Sequence, residues 1–280
     1  MSDHILVHVD DSEQCKARVQ TALQVARRLG ARLTGAYVAP IIVPPMTAAG
    51  IRGIYLTEMT QEKSDEELKE HRARVQESFR RCAGDTPLRT LLGPADIALV
   101  ELGRLADLIV LGQHAEDGLG RDLPGSLTAS VVMRAGRPVL TVPDSGAPSS
   151  IGDRVMLAWN NTRESTRALH DALPYLRAAD KVIVHTVGAV DTATDTGNDF
   201  TRPLLNVETY LEQHDVDAEL SQTPHLDLDI PQELLARLSD NGCDLLVMGA
   251  YGHSRLHEFV FGGTTRQILK HMTVPVLMSH

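Results

Sequence analysis

The chain has 280 residues, enough for two domains of ordinary size that each bury their own core. It is 42% hydrophobic and 23% charged, and no charge-free apolar run approaches the ~20 residues that a membrane span needs, which excludes an integral membrane reading. Lys and Arg number 27 against 37 Asp and Glu, a net charge of −10 that argues against nucleic acid as the main partner, because duplex binding neutralises phosphates with cations.

Met1-Ser2-Asp3-His4 runs straight into an apolar strand at 4–9, with neither the basic start nor the apolar core of an export signal, which points to the cytoplasm. A helix follows at 12–29 and a strand at 31–38. Gln61 to Arg81 is densely charged and reads as an exposed helix at 61–82 laced with i,i+4 pairs. Strands at 87–92, 107–111 and 138–142 then alternate with helices at 94–105 and 125–135. Pro143 to Ser150 has a linker's composition and divides a first domain, 1–144, from a second, 151–280. Beyond it, strands at 153–159, 181–187, 216–222, 244–248 and 275–279 alternate with helices at 162–178, 202–214, 231–241 and 263–271. Strand-helix alternation of this kind predicts a mainly parallel sheet flanked by helices. Three cysteines (Cys15, Cys82 and Cys243), odd in number and without CxxC or Cys/His spacing, read as reduced thiols.

The chain repeats itself. Ile5 to Ser12 matches Val155 to Thr162 at an offset of 150, each an apolar run, two Asp or Asn residues and a hydroxyl able to cap a helix. Asp107 to Gly112 matches Asp244 to Gly249, and Arg137 to Leu140 matches Val274 to Leu277, both at an offset of 137. The first copy therefore carries about 13 extra residues, expected between 40 and 85.

Open α/β sheets bind ligands at the carboxyl ends of their strands. In the second copy that position holds Gly249, Ala250, Tyr251 and Gly252, then His253 to Phe261, then Gly262-Gly263-Thr264-Thr265 opening a helix. Glycines let a backbone approach a ligand, and free amides, hydroxyls and the helix dipole make the helix start an anion site suited to a triphosphate. The competing reading, glycines that only shape a tight loop, is weakened by the strand-loop-helix setting.

The spacing G-x2-G-x9-G at Gly249, Gly252 and Gly262, followed by a helix and a Pro-Val-Leu strand, resembles the nucleotide loop of universal stress proteins, and the resemblance covers both copies. It implies two tandem Rossmann-like domains of the adenine nucleotide alpha hydrolase type, each a five-stranded parallel sheet of order 3-2-1-4-5. It also implies ATP, alone or with Mg²⁺, held in the second domain. Adenosine would lie near Asn160, Ala158 and Thr186, with Met248 and Gly249 on the ribose side and phosphates at Gly252, His253, Gly262, Gly263, Thr264 and Thr265. The first-domain counterparts are Asp10, Tyr37, Gly112, Gly125, Ser126 and Thr128.

The second copy departs from the family in having Asn160 for the usual Asp, which loses a charge-assisted bond, and Gly263 for the usual hydroxyl. The first departs further: Ala115 replaces the second glycine, and Glu116, Asp117 and Asp122 set negative charge along the phosphate path, so its site reads as degenerate. Gly118-Leu119-Gly120 has the wrong spacing for a dinucleotide fingerprint. His253 and His257 lack a third metal ligand. Gly252-His253-Ser254-Arg255-Leu256 lacks the last glycine of a nucleophile elbow. Trp159 reads as a core or interface residue. With no catalytic set, the expectation is a regulatory stress-response protein; the alternatives are an interaction protein with both sites degenerate and a slow ATPase. The two final strands, 138–142 and 275–279, are expected to pair across a pseudo-two-fold axis as an intrachain pseudo-dimer. Pairing of whole chains into a homodimer is a further expectation.

Overall fold

Residues 3–39, 51–113, 126–187, 203–224, 229–252 and 263–280 are described in the computed structural model, with backbone alone at 51–65, 126 and 203–205. The first half comprises β1 (His4–Val9), α1 (Cys15–Leu29), β2 (Arg32–Ala39), α2 (Ile51–Ala83), β3 (Leu88–Leu92), α3 (Ala95–Gly103), β4 (Leu108–Gly112), α4 (Ser126–Ala135) and β5 (Val139–Val142). The second comprises β6 (Arg154–Ala158), α5 (Arg163–Leu176), β7 (Lys181–Val187), α6 (Pro203–Glu212), β8 (Ala218–Thr223), α7 (Ile230–Asp240), β9 (Leu245–Gly249), α8 (Gly263–His271) and β10 (Val276–Ser279).

Every expected strand and helix is present, but two boundaries differ for physical reasons. Helix α1 begins at Cys15 rather than 12, because the Ser12 hydroxyl and amide both donate to the Asp10 carboxylate and Gln14 takes the cap position without a side-chain bond. In the second half Thr162 does cap α5, in a reciprocal box with Ser165. Helix α2 begins at Ile51 rather than 61 and is 33 residues long against 10 for α6, its counterpart, a difference that more than covers the 13 extra residues of the first copy.

The sheet order is β3-β2-β1-β4-β5-β10-β9-β6-β7-β8, so each half has the order 3-2-1-4-5 and the halves join edge to edge. Within each half all pairs are parallel; β5 and β10 are antiparallel, with Val276 opposite Thr141, Leu277 opposite Leu140 and Met278 opposite Val139. That pairing removes two apolar edges that would otherwise template association. Strand alternation sends Ile5, Val7, Val155 and Leu157 to the layer beneath α1 and α5, and Leu6, Met156, Leu246 and Met278 to the layer holding α3, α4, α7 and α8. Both faces are covered, as a parallel sheet requires, and each fully buried Leu or Ile contributes about 1.5–3 kcal/mol on leaving water.

The repeat extends to single atoms. Asp107 accepts from the amides of Asp3 and His4, and Asp244 accepts from those of Gly152, Asp153 and Arg154, so the residue before the fourth strand clamps the start of the first strand in each half. Between the halves, Arg28 pairs with Asp153, and buried Gln113 donates from Nε2 to the carbonyls of Leu269 and Lys270 while its Oε1 accepts from the Asp144 amide. Among the described residues no helix is long and apolar enough to cross a membrane.

Candidate functional site

Parallel strands end together, so the first and fourth strands of a half, which are neighbours, present their following residues to one crevice. In the second half this crevice is a cavity of about 240 Å³. Its floor is Ala158 and Met248, its walls are His185 and Val187 from β7 with Ile230 and Leu234 from α7, and Trp159 and Asn160 close it on the side of β6. The rim consists of Gly249, Tyr251 and Gly252 after β9, with Gly263, Thr264 and Thr265 at the start of α8.

The two rim segments are tied together, since the Tyr251 amide donates to the Thr265 hydroxyl. Asn161 and Tyr251, one after each strand, both have left-handed backbones with φ of 54° and 55°, uncommon for residues other than glycine. Gly249 and Gly252 then play different parts. A Cβ at Gly249 would stand 2.6 Å from the backbone of Glu164 and Ser165, so that glycine lets α5 pack onto β9. A Cβ at Gly252 would stand 3.2 Å from the Glu164 carboxylate. At Gly263 the space is open, and α8 has no acidic residue in its first turn, which leaves its N-terminal amides and dipole available to an anion.

Of the expected second-half residues, Ala158, Asn160, Met248, Gly249, Gly252, Gly263, Thr264 and Thr265 meet at this one cavity. Thr186 does not line it: its hydroxyl donates to the Trp159 carbonyl inside the sheet, and its neighbours His185 and Val187 face the cavity instead. His253 and Gly262, with the His257 alternative, lie outside the described residues, as do Gly125, Ala115, Glu116, Asp117 and Asp122 of the first half. The Asn160 side-chain oxygen accepts from the Thr162 hydroxyl at 2.8 Å, leaving its amide group for a ligand.

Two groups, His185 and Glu164, were not singled out from sequence. His185 is buried, and its imidazole is held below its usual pKa by burial first and the Arg237 charge second, so it is neutral near pH 7. Its Nδ1 lies 3.0 Å from the Ser221 hydroxyl, while its Nε2 and the Trp159 indole N–H have no partner among the described residues. Glu164 is 3% exposed; burial alone would raise its carboxyl, but its own backbone amide and Arg163 outweigh that and keep it ionised. The signal for both was position: a polar residue within or beside an apolar run at a strand end or a helix start.

In the first half the matching positions carry larger and charged groups. Its His8 takes the place of Ala158, and strand register makes the two halves mirror one another: His8 stands opposite Ala36, and Ala158 opposite His185. Arg18, 1% exposed and matching Ala168, sends Nη2 to within 2.8 Å of the Asp10 carboxylate and donates from Nε to the His8 carbonyl. A Cβ at Gly112 would stand 2.5 Å from the same guanidinium. Tyr37 is buried with its hydroxyl 2.6 Å from His71 Nδ1, and His71 Nε2 lies 3.3 Å from Asp11, so α2 is fastened across this end of the half. Thr128 donates to the Gly112 carbonyl, and Ser126 opens α4.

The model of the universal stress protein family matches residues 1–143 and again residues 152–280. A universal stress protein of Mycobacterium bovis is 26% identical over 192 residues, 65% of this chain and 64% of the relative, and one from Synechocystis is 55% identical over 38 residues, 14% of this chain and 13% of the relative. The chain thus spans less than two thirds of these relatives' length in the matched segments. Among solved structures, a universal stress protein from Archaeoglobus fulgidus superimposes with a TM-score of 0.67 at 18% identity, covering 100% of this chain and 98% of that one. A functionally unknown protein of Pseudomonas aeruginosa gives 0.55 at 14% identity, covering 99% and 92%. At these identities the likeness concerns the fold.

Proposed function

Because this chain belongs to the universal stress protein family, with both halves matched, we propose that it is a stress-response regulator that binds ATP in its second half and not in its first. One observation carries the reading: the second half has a cavity of about 240 Å³ that runs from an apolar floor to the open N-terminus of α8, while at the matching positions the first half carries buried His8 and the Arg18–Asp10 pair. The apolar floor and the Trp159 edge suit an adenine, the Asn160 amide suits a ribose hydroxyl, and Gly252, Gly263, Thr264 and the α8 amides suit phosphates. Among the described residues no group of three or more His, Cys, Asp and Glu is placed to hold a metal, so an accompanying Mg²⁺ would be carried on the phosphates. Among the described residues no nucleophile with an adjacent base lines the cavity, which favours a binding role over turnover.

Trp159 is the one tryptophan of the sequence and lines the cavity, so it reports on occupancy. Titration of ATP followed by tryptophan fluorescence and calorimetry should give one site per chain and no phosphate release over hours. Two equal sites would overturn the asymmetry, and no binding at all would leave the interaction reading in its place. A homodimer of whole chains in the cytoplasm belongs to the same proposal, and sedimentation tests the assembly.

A further inference from the structure

At the amino ends of its strands, separated from the nucleotide site along the sheet by β4, β5 and β10, the first half has a groove of about 590 Å³. It lies at the starts of β1, β2 and β3, and its lining includes His4, Arg32, Leu33, Pro87, Arg89 and Leu105. Arg32 and Arg89 are exposed and have no acidic partner among the described residues, in a chain with ten more acids than bases. At the position matching Arg32, the second half has Lys181, which is neutralised by Glu219 at 2.6 Å. Leu105, at the end of α3, is 84% exposed, whereas the matching residue in the second half is Gly242. The groove of the first half therefore combines two exposed guanidinium groups that have no acidic partner among the described residues with the uncovered Leu105 and the exposed Pro87.

Guanidinium groups bind carboxylates through paired, charge-assisted bonds, and an exposed large aliphatic beside them gains by covering apolar surface. We propose that this groove docks an acidic segment of a partner protein, with carboxylates on Arg32 and Arg89 and an apolar side chain against Leu105 and Pro87. A chain this negative repels acidic peptides generally, and Arg32 and Arg89 would hold such a segment at this groove. Strands β4, β5 and β10 stand between the docking face and the nucleotide cavity, so a nucleotide and a partner can be held together.

The test uses the full chain and a fluorescein-labelled peptide Glu-Leu-Glu-Glu-Leu-Glu, followed by anisotropy. The wild type should bind, with affinity falling as salt rises. Arg32→Ala/Arg89→Ala should weaken binding at least tenfold and Leu105→Ser about threefold, while Arg104→Ala, an exposed arginine outside the groove, should leave it unchanged. Circular dichroism checks that each variant folds. The proposal is overturned if the peptide does not bind the wild type, if the double variant binds normally, or if a peptide with Ser for both Leu binds equally well. None of these outcomes depends on whether the second half binds ATP.

Discussion

The Arg18 guanidinium and the Asp10 carboxylate form a buried ion pair, Nη2 to Oδ2 at 2.8 Å, at the end of β1, where the second half has Ala168 and Asn160. Burial by itself would raise the Asp10 carboxyl, but Arg18, His8 and Ser12 together hold it well below the usual carboxylate range. Removing one partner strands the other charge in the interior. Arg18→Ala should therefore lower unfolding stability by about 3–5 kcal/mol, and adding Asp10→Asn, which reproduces the second half's pair, should restore much of it. Urea denaturation of both variants decides this; a single variant as stable as the wild type would show that the pair is not buried as described.

The two glycines after β9 should separate folding from binding. Gly249→Ala presses a methyl group onto the Glu164 and Ser165 backbone at 2.6 Å and should cost about 1–3 kcal/mol, seen as a lower melting temperature. Gly252→Val faces a carboxylate end at 3.2 Å, which can turn away, so the fold should survive while the enlarged side chain narrows the rim and abolishes ATP binding. Undiminished binding by Gly252→Val would place the nucleotide elsewhere.

His8 sets an acid limit on stability. Burial, reinforced by the Arg18 charge and opposed by Asp10, lowers its pKa from 6.5 to about 4. Below 6.5 the unfolded chain takes up a proton that the folded chain refuses until about pH 4, so stability is full above 6.5 and declines as pH falls through that interval. The slope should be up to about 1.4 kcal/mol per pH unit from this residue. His185, also lowered, adds to it. His8→Ala should flatten the profile between pH 6.5 and 4.5, above the range in which carboxylates titrate; an unchanged slope in denaturation series would refute the assignment.

Gln113 latches the first half to the last turn of α8. Gln113→Leu leaves the Asp144 amide and the Leu269 and Lys270 carbonyls without this partner, a loss of about 1–3 kcal/mol. Hydrogen exchange should report it as faster opening of β5 and β10, with β2 and β3 unaffected.

Much of this was legible in the sequence because it depends on local pattern. Apolar runs of strand length, helical stripes and the matching of Asp107 to Asp244 and Pro138 to Pro275 determined the repeat, the parallel halves and the crevice in which Asn160, Met248, Gly252 and Thr264 meet. The apolar final strands, Val139 to Val142 and Val276 to Ser279, also announced their pairing, since an uncovered apolar edge needs a partner. What pattern could not decide was which side chains fill the space between elements distant in sequence. Arg18 occupies the apolar stripe of α1, with Cys15, Val19, Ala22 and Val25 around it, and reads as an anomaly until the fold brings Asp10 and the His8 carbonyl to it. Gly249 and Gly252 look equivalent in the motif, yet only the packing of α5 against β9 makes one a spacer and the other a rim. His8 and His185 become counterparts only through strand register, which puts one imidazole in each half on opposite members of the same strand pair. Local sequence thus determined the elements and their order; the tertiary structure decided which side chains meet at the end of each half's first strand, Ala158 and Asn160 in one and His8, Asp10 and Arg18 in the other, because that depends on volumes and charges meeting across the sheet.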